Sequence, residues 1–419
     1  MSADTNERIK AGTPLDRSDE RVRHDNSFGG TIRAFFERVR SGDLGSLPVI
    51  IGLVIIWTVF GFLNPLFLSS NNLVNLLFDC STTGVIALGV VCVLMVGEID
   101  LSVGSISGFS SAMLGTLWVG HGWPVAMAIA AAIVVGGLFG ALYALLYNRL
   151  GMPSFVSSLA GLLAILGMQL YILGGTGSIN LPYGSNMVNF GQLLVMPRWA
   201  SYLFATIPGI IWLVIGMQTI SRRREANLSA SSIGNVVLRA AALTAGLEFV
   251  AFYMNQTRGI PWMFGLFVCL AIAMHYALTR TKWGRSMTAV GGNREAARRA
   301  GINVRFIYST AFVLCGMFAA TGGVLAASRL ATASQQAGTG DVNLNAIAAA
   351  VIGGTSLFGG RGSSFSALLG IIVIQSIANG LTMLDLSSSL RYMITGAVLA
   401  VAVIVDSLAR QSRASHGRA

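Results

Sequence analysis

Charged side chains are scarce in this chain of 419 residues: they make up 11% of it, against 54% hydrophobic residues. A soluble domain contains about a quarter charged residues. A chain of this length with so few charges has too little polar surface for a soluble fold, so the composition predicts a membrane protein. The 50 glycines agree with this, because small residues let helices pack closely in a bilayer.

Lysine is almost absent. A phosphate-binding loop of the type G-x-x-x-x-G-K-[ST] needs a lysine directly after a glycine. Lys10 follows Ile9 and Lys282 follows Thr281, so neither lysine can belong to such a loop. If ATP drives this protein, a separate subunit must hydrolyse it, and we expect no cofactor on this chain. Paired catalytic carboxylates, histidine clusters and a nucleophile elbow are also missing, which argues against an enzyme.

Cysteine is also rare, and the N-terminal residues contain no apolar segment. The four cysteines lie inside apolar runs without the spacing of metal ligands, so we expect small buried hydrophobic residues and no metal site or disulfide framework. Residues 1–46 are polar and lack the apolar core of a secretory signal. We therefore expect an uncleaved cytoplasmic tail here, amphipathic near 32–39.

The apolar runs predict an all-α fold, a polytopic membrane helix bundle. At roughly 20 apolar residues per crossing, the chain holds about 12 candidate transmembrane helices. The predicted spans are 47–67, 73–96, 101–119, 124–148, 153–174, 202–220, 235–255, 260–278, 305–328, 343–360, 364–384 and 390–408. The tenth ends in the Gly-rich sequence VIGGTSLFGG, a poor helix former, and we expect a broken or re-entrant element there.

The net charge of +11 comes from arginines in short loops between apolar runs, which indicates membrane orientation and not nucleic-acid binding. With the N-terminus inside, the inner loops receive most of these arginines, including the run 222–224 and the cluster in 280–299. The outer loops receive Arg198, Arg258 and Arg329. Both termini are therefore predicted to be cytoplasmic.

Residues 99–115 and 354–370 align without gaps and share five identities, among them Gly104 with Gly359. Transporter cores are often built from repeated halves. The likeness indicates either an internal duplication or a chance similarity between two helices rich in small residues.

An ion-coupled carrier would need titratable groups buried at mid-membrane, and the candidates here are Asp79, Glu98, Asp100, Glu248 and His275. Asp79 and Glu248 are isolated in the sequence, whereas Glu98 and Asp100 share the segment GEIDLSVG. This segment is either a polar hinge in a transport pathway, with carboxylates that pair with an arginine or cap a half-helix, or an interfacial turn. The pattern shows no proton relay.

The inner loop 279–305 contains a short predicted helix. Asn293 can cap it, Glu295 lies in its first turn, and Gly301 suits the position that ends it. Ala296, Ala297 and Ala300 would give it a smooth face that fits a groove in a partner. The alternative is an ordinary positively charged inner loop.

Several motifs in order resemble the permease subunits of ribose/xylose-type carbohydrate ABC importers. The sequence AVGGNREAARRAGINV at 289–304 resembles their cytoplasmic coupling loop. GEIDLSVGS at 97–105, PSFVSSLAGLLA at 153–164 and AVIGGTSLFGGRGS at 350–363 resemble further family segments. The added stretch near 190–260, with two further spans, is similar to xylose-type members. The tail is longer than usual, and Arg361 replaces a small residue or valine.

The resemblance implies a transmembrane permease domain at 47–408, with a coupling loop at about 279–304 and a cytoplasmic tail at 409–419. It implies a separate ATPase subunit that uses ATP, an extracytoplasmic sugar-binding protein, a second permease copy, a pentose cargo and an inner-membrane location. The coupling role falls on Gly291, Gly292, Asn293, Glu295, Ala296, Ala297 and Gly301. The pathway or gate candidates are Glu98, Asp100, Ser102, Gly353, Gly354, Thr355 and Ser356.

Two alternatives stay open. The first is a permease of the same class for another cargo, such as another sugar, a polyol, a furanosyl signal or a branched amino acid. The second is an ion-coupled secondary carrier that acts without partners.

Overall fold

The computed structural model describes residues 47–387, 389–397, 400 and 404. The predicted tails 1–46 and 409–419, and most of the last predicted span, lie outside the described residues. The described chain falls into two compact units, a smaller one at Pro197–Gly259 and a larger one formed by the segments before and after it.

The described chain is mostly helical, as predicted, and its helices carry the numbers used below. They are α1 Leu47–Leu63, α2 Ser70–Met95, α3 Val103–Gly115, α4 Val125–Leu150, α5 Ser154–Leu173, α6 Asn186–Gln192, α7 Arg198–Glu225, α8 Ile233–Met254, α9 Trp262–Arg280, α10 Lys282–Gly292, α11 Arg294–Arg299, α12 Val304–Leu330, α13 Val342–Ile352 and α14 Ser364–Met383. Strands β1 (Ser178–Asn180) and β2 (Thr332–Ser334) pair antiparallel.

The sequence sets most helix starts through two local devices. Four long helices begin directly after a proline, whose fixed φ suits the first turn and whose missing N–H is not needed there. These are α4, α5, α7 and α9. Others begin after a side chain that accepts a hydrogen bond from the first turn, as Ser69 does for α2 and Ser363 for α14.

The core of the larger unit lies around α2 and α12. Helix α12 packs against α2, α3 and α4. Its contact with α4 uses Gly136 and Gly140, which have the G-x-x-x-G spacing. A Cβ atom at Gly136 would meet Gly316 O, and one at Gly140 would meet Phe312 O. Small residues at this spacing let two backbones approach closely, which is how membrane helices associate without a hydrophobic driving force between them.

Among the described residues, eight helices are long and apolar enough to cross a bilayer. The predicted count of about 12 is not established, because α1, α3 and α13 are short. Helix α3 has 13 residues and continues as the π-helix Thr116–Gly120. Helix α13 has 11 residues, about 16 Å at 1.5 Å per residue, against a hydrocarbon thickness of about 30 Å.

The loops that connect the helices of the larger unit lie in two groups, one at each end of the helices. At one end, which we call the Gly291 end, the segments 95–102, 281–303 and 353–363 meet, and Gly360 N donates to Met95 O at 2.9 Å. At the other, the strand end, β1 pairs with β2 and the Asn64 side chain donates to Met383 O at 3.1 Å. These groupings agree with the alternation of inner and outer loops predicted for this unit.

The tenth predicted span is a composite element. It leaves β2 at the strand end as an irregular segment, and a Cβ atom at Gly338 would meet Gly104 O of α3. The Gln169 side chain holds this segment by donating to Ser334 O at 3.0 Å and Ala337 O at 2.9 Å. Helix α13 then leads to the 353–363 loop at the Gly291 end. The expected break in the Gly-rich sequence is confirmed, because the helix ends at Ile352 and 353–360 is not helical. The irregular segment between β2 and α13 lies outside the predicted span and within protein, where unpaired backbone groups find partners.

The aligned segments 99–115 and 354–370 do not occupy equivalent places. Helix α3 begins at the fifth aligned position, Val103, whereas α14 begins at the eleventh, Ser364. The structure therefore gives no support for a duplication at this register.

The smaller unit is a helical hairpin of α7 and α8, in the stretch predicted to hold two added spans. Thr206 Oγ1 donates to Glu248 Oε1, and Gly209 packs against Thr244. Glu248 thus has a hydroxyl partner on the neighbouring helix.

Asp79, isolated in the sequence, has a partner in the fold. Its Oδ1 accepts from Arg329 Nε at 2.9 Å, and the Arg329 guanidinium lies 5.0 Å from the Phe78 ring centre. The two residues are 250 positions apart, so the sequence does not reveal the pair. The contact fastens α12 to α2 near the strand end.

We expect Asp79→Leu to destabilise the protein by about 2 kcal/mol, because it leaves a partly buried arginine without its carboxylate. Asp79→Asn, which keeps a hydrogen-bond acceptor, should lose less. Thermal unfolding in detergent measures both. Both variants remove the carboxylate charge, so equal losses would mean that a neutral hydrogen-bond acceptor at this position contributes nothing and that the pair acts through its charge alone.

Candidate functional site

Three glycine-containing segments meet at the Gly291 end. A Cβ atom at Gly291 would collide with Met95 O and lie 2.5 Å from Gly360 N. A Cβ atom at Gly359 would lie 2.8 Å from Gly291 O and 2.9 Å from Gly97 N. The end of α10, the turn after α2 and the loop after α13 therefore touch through backbone, with no room for side chains between them.

Glu98 connects this junction to α4 and α5. Its Oε1 accepts a hydrogen bond from Tyr147 Oη, and its Oε2 accepts one from Ser154 Oγ. Arg294, the first residue of α11, donates to Tyr147 Oη at 3.2 Å. Glu98 is thus linked to an arginine through a tyrosine hydroxyl, in place of the direct arginine pair considered from the sequence.

Two aromatic rings support this chain of contacts. The Tyr147 and Tyr308 ring centres are 4.7 Å apart, and the Arg294 guanidinium lies 5.7 Å from the first and 5.4 Å from the second. A guanidinium at these distances is attracted by the ring faces. Arg294 is therefore held by both rings and one hydroxyl, which fixes α11 against α4 and α12.

Asp100 is buried, with 2% of its surface exposed. Its Oδ1 accepts from Ser102 N at 2.8 Å and Ser102 Oγ at 2.7 Å, while its Oδ2 has no hydrogen-bond partner. These two bonds close the turn that leads into α3, whose own first turn has no side-chain cap. The unpartnered oxygen marks this turn as a polar point inside the bundle.

The residues Gly353, Gly354, Thr355 and Ser356 form the turn that ends α13. Gly353 packs against Ser366 O of α14, and Thr355 N donates to Ala350 O at 3.0 Å. The Thr355 hydroxyl is buried and has no partner, and Ser356 N donates to Arg361 O at 3.0 Å. This turn and the Glu98 segment both reach the Gly291 junction.

The short helix in the inner loop has the predicted ends. The Asn293 side chain accepts from Ala296 N at 2.9 Å, Glu295 and Arg298 form an exposed ion pair at 3.1 Å, and Gly301 adopts φ +81°. A positive φ at this position favours glycine, and Ile302 N bonds back to Ala297 O at 3.1 Å. The cap and the terminating glycine are therefore confirmed.

The exposed face of this helix is narrower than predicted. Ala296 and Ala300 are exposed, but Ala297 is only 5% exposed and packs against its own chain. Gly291 is also occupied by its contacts with Met95 and Gly360. Gly292, Asn293, Glu295, Ala296 and Ala300 remain accessible, and we call these five the exposed coupling face. Gly291 and Ala297 lie beneath it.

Sequence reasoning missed Tyr147, Ser154 and Tyr308 as members of this site. A signal for Tyr147 exists: it lies two residues before Arg149, at the end of a span that the charge bias places on the same side as the 279–305 loop. Ser154 follows Pro153 at the next helix start. Tyr308 gives no signal, since an aromatic residue in an apolar helix has no distinguishing pattern.

Comparison with known proteins identifies relatives that are membrane permeases. The family described as branched-chain amino acid transport system / permease component matches residues 72–403. The chain is 37% identical to the xylose transport system permease protein XylH of Escherichia coli (strain K12), over 87% of this chain and 90% of that protein. It is 32% identical to the XylH of Haemophilus influenzae, over 88% of this chain and 98% of that protein.

The ribose import permease protein RbsC of Escherichia coli (strain K12) is 28% identical, over 85% of this chain and 92% of that protein. No solved structure matches the chain. The family match covers the junction, the Glu98 network and the short capped helix. This chain is therefore a multi-pass membrane protein that belongs to the permease family of the branched-chain amino acid transport type.

Proposed function

We propose that this chain is the permease subunit of an ABC sugar importer and forms the translocation pathway for a pentose, with xylose as the first cargo to test. The similarity to xylose permeases over nearly their full length supports the cargo. The observation that carries the mechanism is the backbone junction at Gly291. There, the chain that leads into the exposed capped helix touches, through Gly291, the segments that carry both sets of pathway candidates.

The partners follow from this proposal. A separate ATPase binds the exposed coupling face and uses ATP, an extracytoplasmic binding protein delivers the sugar, and a second copy of the permease completes the pathway. The Gly291 end faces the cytoplasm of a cell with an inner membrane, both termini lie on that side, and the composite tenth element completes a set of about 12 crossings.

The geometry suggests how force would pass into the bundle. A displacement of α11 moves Arg294, which pulls on Tyr147 and, through its hydroxyl, on Glu98. The same displacement presses Gly291 against Gly359 and Met95. The turns that carry Asp100 and Thr355 then move together, because the segments that contain them are joined by the backbone contacts at Gly291. Sugar contacts along such a pathway should be few, since tight binding slows release.

Reconstitution tests this function. Vesicles that carry the permease and its ATPase, with the sugar-binding protein added outside, should take up radiolabelled xylose only with ATP inside. Ribose and leucine serve as competitors, because relatives or the family description name them. Uptake by the permease alone under a proton or sodium gradient would identify a secondary carrier, and leucine uptake without pentose competition would exclude the sugar.

A further inference from the structure

A crevice opens between α9, α10 and α12, with a volume of about 500 Å³. Ligand sites commonly measure about 300–1,000 Å³. Its walls include Met274 and Ala277 from α9, Trp283 from α10, and a stripe along α12 that runs from Phe306 to Leu314. Eight residues of helix correspond to about 12 Å, so the crevice runs along the bundle from the Gly291 end.

The polar groups in its wall are already satisfied. Trp283 Nε1 donates to Thr310 Oγ1 at 2.8 Å, and Ser309 Oγ accepts from Asn148 Nδ2 at 3.1 Å. Thr310 Oγ1 in turn donates to backbone carbonyl groups of its own helix. The wall therefore offers methyl, methylene, thioether and ring surface, which suits a hydrocarbon chain and not a sugar.

Three basic residues lie next to the residues that line the crevice, at one end of it. Lys282 directly precedes Trp283, Arg305 directly precedes Phe306, and Arg280 ends α9, all three with exposed side chains. The acidic residue in 279–306 is Glu295, which is paired with Arg298. The crevice is thus apolar along its length and has a cationic rim at its Gly291 end, where α9 ends and α12 begins.

We propose that this crevice binds one anionic phospholipid of the surrounding bilayer, with phosphatidylglycerol as the probe. The phosphate lies against Lys282, Arg305 and Arg280, and one acyl chain lies between α9 and α12. Basic pockets between membrane helices on the cytoplasmic side bind anionic headgroups in this way. The proposal does not depend on which solute the protein carries.

Charge argues against two other occupants. The amphipathic segment near 32–39 carries Arg33, Glu37 and Arg38, a net positive charge that the rim would repel. A second copy that used the same face would bring two cationic rims together, since a two-fold interface pairs a surface with itself. An anionic lipid neutralises the rim and fills the apolar crevice at once.

Native mass spectrometry of the full chain in detergent tests the proposal, with phosphatidylglycerol and phosphatidylcholine as competing probes. The wild-type chain should retain one phosphatidylglycerol in preference to phosphatidylcholine. Lys282→Gln with Arg305→Gln should weaken this binding by about fivefold per charge removed. Ala277→Trp, which fills the crevice and leaves every charge in place, should also abolish the retained lipid.

Arg222→Gln with Arg224→Gln is the matched control, because it removes two exposed charges at the end of α7, and it should leave lipid retention unchanged. Size-exclusion profiles and unfolding temperatures confirm that each variant is folded. Equal loss in the control would show general electrostatic attraction and overturn the proposal. Retention of phosphatidylglycerol by Ala277→Trp would also overturn it. If that variant kept its lipid but changed its oligomeric state, the crevice would be a contact between copies of the chain.

Discussion

Replacing Gly292 and Ala296 together by aspartate should abolish both solute uptake and ATPase association, while the protein still inserts into the membrane. Both positions are exposed, and a Cβ atom at Gly292 meets nothing within 4 Å, so the isolated chain accommodates the new side chains. Docking of a partner on this face would bury two carboxylates without counter-charges. An unpaired buried charge costs several kcal/mol, which corresponds to at least about a hundredfold loss of affinity.

Co-purification with the ATPase measures the association, and vesicle uptake measures the function. Gly292→Ala with Ala296→Ser is the matched control, because it adds little volume and no charge, and it should retain both activities. Ala297 is not a suitable docking probe: it is 5% exposed, so an aspartate there would disrupt the chain itself. If the double aspartate variant co-purifies with the ATPase at normal yield, the exposed coupling face is not the docking surface.

Glu98→Ala should separate ATP hydrolysis from transport. The variant removes the acceptor for Tyr147 Oη and Ser154 Oγ, and with it the link from Arg294 to the turn that carries Asp100. A hydrogen bond to a charged group contributes about 1.5–3 kcal/mol, so uptake should fall at least tenfold. The exposed coupling face is untouched, and the ATPase should still bind and hydrolyse ATP.

Uptake and ATP hydrolysis, measured in the same vesicles, give the ratio that decides this prediction. Tyr147→Phe should lower uptake in the same direction, since it removes the hydroxyl that joins Glu98 to Arg294. Tyr308→Phe should lower uptake less than Tyr147→Phe: its hydroxyl touches Tyr147 and makes a longer contact, 3.4 Å, to Val96 O, but does not bond to Glu98, and its ring still packs on Tyr147. A parallel loss of hydrolysis and uptake in Glu98→Ala would point to a folding defect and not to a transmission role.

Much of the architecture was predictable because its causes are local. Apolar runs of about 20 residues locate the long helices whatever they pack against, and prolines 124, 153, 197 and 261 mark helix starts. The caps of α11 depend on residues three to eight positions apart, so Asn293 and Gly301 were readable in the sequence. The family motifs add the order of the segments, but the roles given to those residues remain predictions.

The contacts that make a site were not predictable, because they join residues far apart in the chain. Asp79 pairs with Arg329, and Glu98 accepts hydrogen bonds from Tyr147 and Ser154. No regular spacing in the sequence predicts these contacts. Burial of Ala297 beside exposed Ala296 is equally a tertiary result, since both are alanines on one short helix. The crevice at Trp283 also exists only where three helices converge.

The sequence by itself determined that this chain crosses a membrane, roughly where its long helices lie, and that it lacks a lysine for a phosphate-binding loop. These properties follow from hydropathy, charge and backbone chemistry within about 20 residues. Only the tertiary structure decided that Gly97, Gly291 and Gly359 share one backbone junction. Packing between distant segments depends on the shapes of both partners, which no single stretch of sequence contains.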